Sequence, residues 1–110
     1  MNIEDLTIKD VRAIASIFGQ QTQDSHPYEI GKIYLIRTVT MIDTGRVVRV
    51  TSQEIVLTDA AWIADTGRFS DAVKKAEFSE CEPFPDGEVI IGRGSVIDAV
   101  KIEKAPRSQK

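Results

Sequence analysis

The stretch that most limits what this chain can fold into runs from Met41 to Ile63, MIDTGRVVRVTSQEIVLTDAAWI. It is dense in β-branched residues and broken by short polar groups. It therefore reads as two β-strands joined by a tight turn at Thr51-Ser52-Gln53-Glu54, with Gly45 at the entry and an Asp59-Ala60 step at the exit. A hairpin buries little on its own, so the rest of the chain must cover it. At 110 residues, one domain with one modest core is the expectation.

The flanking segments supply that cover. Thr7 stands where an N-cap would, and Ile8, Val11, Ile14, Ala15 and Phe18 recur at helical spacing before Gly19. They predict a helix over about residues 8–18. Gln20 to Pro27 is a polar loop. YEIGKIYLIRTVTM follows, an extended segment with apolar groups on both faces. Ile33, Leu35 and Val39 lie on one face with Arg37 between them, and Tyr34, Ile36, Thr38 and Thr40 lie on the other. Asp43-Thr44-Gly45 and Asp65-Thr66-Gly67 carry turn signals.

Beyond the hairpin, Ser70 is placed to cap a short helix over Asp71 to Ala76, and Glu77 to Glu82 reads as a brief strand. Pro83, Pro85 and Asp86-Gly87 break the chain. Glu88 to Ile91 and Ser95 to Ile102 read as strands around the kink Gly92-Arg93-Gly94. The whole is mainly β with an N-terminal helix: a small, strongly bent, five-stranded antiparallel barrel with a helical insertion, spanning residues 1–104. Residues 105–110 are expected to be a disordered tail.

Composition narrows the function. The net charge is −3, with a pI of about 5.1. This weighs against nonspecific coating of nucleic acid, which depends on Lys and Arg neutralising phosphates. The single cysteine, Cys81, can form no intrachain disulfide. No apolar run approaches the roughly 18 residues of a membrane span, and the N-terminus lacks a signal-peptide pattern. A cytoplasmic protein is expected.

Catalytic chemistry finds little purchase. The lone histidine, His26, sits in a polar loop and reads as solvated. Glu80 and Glu82 flank Cys81 and should raise the thiol pKa, the wrong direction for a nucleophile. No Cys/His cluster has metal-ligand spacing, and Gly92-Arg93-Gly94 lacks the helix that a phosphate loop needs. The reading is a protein that is not an enzyme and needs no metal or cofactor.

Two segments resemble the Sm/LSm family of small barrels. Gly45, Val47, Ile55, Leu57, Asp59 and Ala60 match its first motif; Val89-Ile90-Ile91, Arg93-Gly94 and Val96-Ile97 match its second. The resemblance implies an Sm-like or SH3-like barrel and a homo-oligomer, a ring closed by pairing strands of neighbouring copies. RNA-binding members carry an Asp and an Asn in the turn between their second and third strands. Here that turn is Thr51 to Glu54, and Glu54 stands about where the Asn would be, so the RNA chemistry is missing. RTVTMIDTGRVV and DAAWIADTGRFSDA also resemble small proteins encoded by bacterial viruses, some of which sequester nucleotide immune signals. On that likeness the protein would work in a host cytoplasm.

The binding candidates follow. Trp62 offers a flat platform for a purine, and Arg37, Arg68 and Arg93 offer guanidinium forks for phosphate, with the Thr38 hydroxyl beside Arg37. The leading expectation is an oligomeric, nonenzymatic nucleotide-binding protein that sequesters a cyclic dinucleotide or an ADP-ribose derivative. A single-stranded RNA-binding protein and a structural or adaptor protein of a virus particle are the alternatives.

Overall fold

The structure, a computed structural model, describes residues 26–110. The helix expected over about 8–18 lies outside the described residues. The elements in order are β1 (Ile33–Thr38), β2 (Ile42–Val50), β3 (Glu54–Asp65), the short helix α1 (Phe69–Lys75), β4 (Glu80–Phe84), β5 (Val89–Gly92), a 3-10 turn (Arg93–Ser95) and β6 (Val96–Ile102). The domain is mainly β: six antiparallel strands with the helix inserted between β3 and β4.

Strand β1 is the middle of the fold. It pairs with β2 on one edge and β6 on the other. Both of its faces are covered, and Leu35 and Ile36 are each fully buried although they point in opposite directions. On one face Ile33 and Leu35 join Ala61, Ile63, Cys81 and Ile102 beneath Ala72 and Ala76 of the helix region. On the other, Tyr34 and Ile36 join Val47, Ile55, Leu57, Ala60 and Ile91. The two-sided environment expected for this segment is the one observed.

The long hairpin of β2 and β3 bends in its middle. Asp59 takes a left-handed conformation (φ 50°), and the register shifts between Thr44 and Arg46 on the facing strand. Gly45 occupies that bend because a Cβ there would sit 2.9 Å from the Leu57 Cβ. The bend divides the outer edge of β3. Its first part, Glu54 to Leu57, pairs with β5, and its second part, from Ala60 on, pairs with β4. Asp43-Thr44-Gly45, expected as a turn, is thus a bulged stretch within β2.

The expected five-stranded barrel is corrected to a six-stranded sheet that does not close. The added strand, β4, comes from the insertion and occupies β3 where a simple barrel would need nothing. Strands β5 and β6 are joined by the 3-10 turn instead of pairing, and the turn's backbone bonds go elsewhere. Arg93 N–H donates to Gln53 O at 2.8 Å, and Val39 N–H donates to Ser95 O at 2.9 Å.

Two local expectations shift. The insertion helix begins at Phe69 with Arg68, not Ser70, in the N-cap position, and ends where Ala76 turns left-handed (φ 53°). Residues 105–110, expected as a disordered tail, run back along β4. Ala105 is buried, Arg107 pairs with Asp59 at 2.6 Å, and Cys81 and Lys110 exchange two backbone hydrogen bonds.

Candidate functional site

Three of the five residues singled out from the sequence line one cavity. Arg37, Thr38 and Trp62, with Val39, Met41 and Ile97, border an open concavity of about 430 Å³ at the end of the sheet. They do not act together there. Cross-strand register puts Arg37 beside Ile42 and Asp98, on the helix-covered face, whereas Trp62 follows Asp43 on the opposite face. A ligand touching both would have to wrap around the sheet end.

Arg37 and Thr38 are also occupied. The Arg37 guanidinium donates from Nε to Asp98 Oδ1 at 2.7 Å and from Nη2 to Asp98 Oδ2, and it lies 4.9 Å over the Phe69 ring. These bonds hold the Asp98 carboxyl below the usual carboxylate range. The Thr38 hydroxyl donates to Met41 O and accepts from Met41 N–H, which locks the β1–β2 turn. Arg68 lies apart from both, exposed at the helix start beside a small concavity with Asp71, Glu77 and Ser79.

Arg93 lies in the second groove, of about 550 Å³. It is lined by Tyr28, Tyr34, Arg93 and an unbroken run of β6 from Val96 to Lys101. Consecutive residues on one strand point to alternate faces, so a groove that touches all six follows the strand's edge. That edge has no neighbour among the described strands, since β6 pairs only with β1. Tyr28 meets Tyr34 edge-on at 5.5 Å and stacks with His26 at 6.1 Å. His26, expected to be solvated, is half-buried.

The charges along this groove are mixed, with Arg93 and Lys101 lining it together with Asp98. Arg93 Nη1 donates to Thr51 O at 2.7 Å, which anchors the guanidinium beside the groove. Burial pushes the Tyr28 phenol up, and the charge of Arg93 pulls it partly back. Lys101 Nζ donates to Glu29 Oε1 at 2.7 Å, and Glu29 N–H donates to the Tyr34 hydroxyl at 2.9 Å. Sequence reasoning found Arg93 but missed Tyr28, Tyr34 and Lys101. A tyrosine just after a loop proline was the available signal.

Among the described residues no group of His, Cys, Asp and Glu could hold a metal ion, and no helix is long and apolar enough to cross a membrane. Cys81 is buried and its Sγ lies 3.5 Å from Ser108 O. No protein-family model matches the chain, and no curated protein or solved structure matches it significantly.

Proposed function

We propose that this is a nonenzymatic, self-associating protein that binds a phosphorylated nucleotide-type ligand in the groove along β6. The observation that carries this reading is the combination in one groove of two tyrosine rings, Arg93, Lys101 and a strand edge with no partner among the described strands. A base can stack on Tyr28, worth roughly 1–3 kcal/mol for an aromatic platform. A phosphate can be attracted by the positive charge of Arg93, which Thr51 O anchors beside the groove. Binding sequesters the ligand and returns it unchanged, as a sponge for a cyclic dinucleotide or ADP-ribose signal would.

The open sheet supports self-association, because β6 has an edge with no partner among the described strands and neighbouring copies can pair β5 with β6 there. A ligand held along β6 would then lie between subunits. The ligand site moves accordingly from Arg37, Thr38 and Trp62 to Arg93 and the two tyrosines.

Calorimetry against cyclic dinucleotides and ADP-ribose derivatives tests the proposal. Binding at micromolar concentration that is lost in Tyr28→Ala and Arg93→Gln, and kept in Arg68→Gln, is expected. Silence across the panel at tens of micromolar ends the nucleotide reading. Tight, salt-sensitive binding of oligouridine would replace it with single-stranded RNA binding.

A further inference from the structure

Among the described residues, the strands beyond the bend have one face that is covered and one that is not. Ile42, Ala61, Ile63 and Cys81 point into the helix-covered core. On the other face, Asp43 of β2, Trp62 of β3 and Glu82 of β4 stand directly opposite one another in a row across three strands. Such cross-strand neighbours have Cβ atoms about 4.5–5.5 Å apart. Phe84 is diagonal to Trp62 on the same face, and Asp65 pairs with Glu80 in the next row. Trp62 is 41% exposed and Phe84 55%.

Among the described residues, no acidic side chain of this face is in an ion pair. The ion pairs among the described residues join Arg37 with Asp98, Lys75 with Asp71, Lys101 with Glu29, and Arg107 with Asp59. None includes Asp43, Asp65, Glu80 or Glu82. Arg107, which shares a shallow concavity with Glu82, is the one that pairs with Asp59. The inner neighbour of Asp43 is Ile36, fully buried, so its carboxylate is wedged between an aliphatic wall and an indole. Burial alone raises its pKa.

We propose that this face of β2, β3 and β4 is a docking surface for a basic segment of a partner protein, with a lysine or arginine lying over Trp62 between Asp43 and Glu82. The chemistry is complementary at each position. The indole is the best aromatic face for a cation. The two carboxylates flank it from adjoining strands and accept charge-assisted hydrogen bonds. Phe84 offers an apolar contact for the next side chain of the segment. An anionic ligand meets carboxylates on both sides of the ring, so this surface is distinct in charge from the Arg93 groove.

Trp62 is the chain's single tryptophan, so its emission reports occupancy directly. The probe is a short peptide alternating arginine and serine, with a glutamate–serine peptide of the same length as control. A saturable change with the arginine peptide alone is expected, weakening with salt. Asp43→Asn combined with Glu82→Gln should reduce affinity about tenfold or more while circular dichroism stays unchanged. Anisotropy of labelled peptide should show a loss in Trp62→Ala as well. No saturable change, an equal response to the glutamate peptide, or full affinity in the double variant overturns the proposal. So does an equal response to free spermidine, which would make this a small-cation site. A Trp62 emission that changes with protein concentration alone would assign the face to a second copy of the chain.

Discussion

At the scale of single residues, two side chains sit in places that local chemistry disfavours. Thr44 is fully buried among apolar groups, and its hydroxyl has no hydrogen-bond partner among the described residues. Burying an unsatisfied hydroxyl costs about 1–3 kcal/mol. Thr44→Val keeps the β-branched shape and removes the polar atom, so the variant should be more stable by about 1 kcal/mol in urea unfolding. A loss of stability would mean that the hydroxyl is satisfied in solution. Asp43 carries the other tension. Its pKa is raised by burial, so the folded chain holds that proton more tightly than the unfolded one. The favourable contribution is complete below the unfolded carboxyl value of roughly 3.9 and is lost as pH rises through the raised folded value. Asp43→Asn should therefore be more stable than the parent at neutral pH, and the advantage should shrink on acidification. The carboxylates of Asp98 and Glu29, held low by Arg37 and Lys101, are common to both proteins and cancel in that difference. A gap independent of pH would refute the burial account.

At the scale of elements, the turn between β1 and β2 shows what pattern reading misses. Thr38-Val39-Thr40-Met41 looks like strand because its residues are β-branched or apolar. It turns because the Thr38 hydroxyl bonds both backbone groups of Met41. Thr38→Val keeps the β-propensity and deletes those bonds, so stability should fall by about 1 kcal/mol in thermal unfolding. An unchanged melting temperature would place the turn's stability in the backbone bond from Thr38 N–H to Met41 O alone. The reverse error occurs at Asp43-Thr44-Gly45. Its turn-like letters serve a bend inside a strand, set by the close approach of Leu57 to Gly45 and by a left-handed Asp59 sixteen residues from Asp43. Such a contact has no local signature. Alternation in the YLIR stretch did reveal a strand buried on both faces, and Asp65-Thr66-Gly67 did mark the end of β3. The candidate site was legible only in part. Arg93 stood out by its motif, but the strand edge that gives it a groove comes from topology, which residue spacing does not encode.

At the scale of the whole molecule, the question is how an unclosed sheet manages its edges. The edge of β4 exchanges two backbone bonds with Lys110, one donated by Cys81 N–H and one by Lys110 N–H. That of β6 pairs with no described strand. Exposed strand edges are commonly shielded by charged side chains. On β6 the two charges available are Asp98 and Lys101, and both are drawn into ion pairs, with Arg37 and Glu29. Ile97, 66% exposed, and Ile90 on β5, 59% exposed, are left on the two strands that a ring would join. Self-association through these strands would cover both and complete the backbone bonding. Ile97→Lys places a charge at the centre of that contact, where desolvating it opposes pairing. The parent should sediment as a defined oligomer at micromolar concentration, and Ile97→Lys should shift to monomer with its circular dichroism unchanged. A monomeric parent would remove the oligomer and with it any ligand site between subunits. An Ile97→Lys variant that still assembles would move the contact away from β6 and leave the groove at Arg93 open to solvent, where ligand affinity should then be independent of protein concentration.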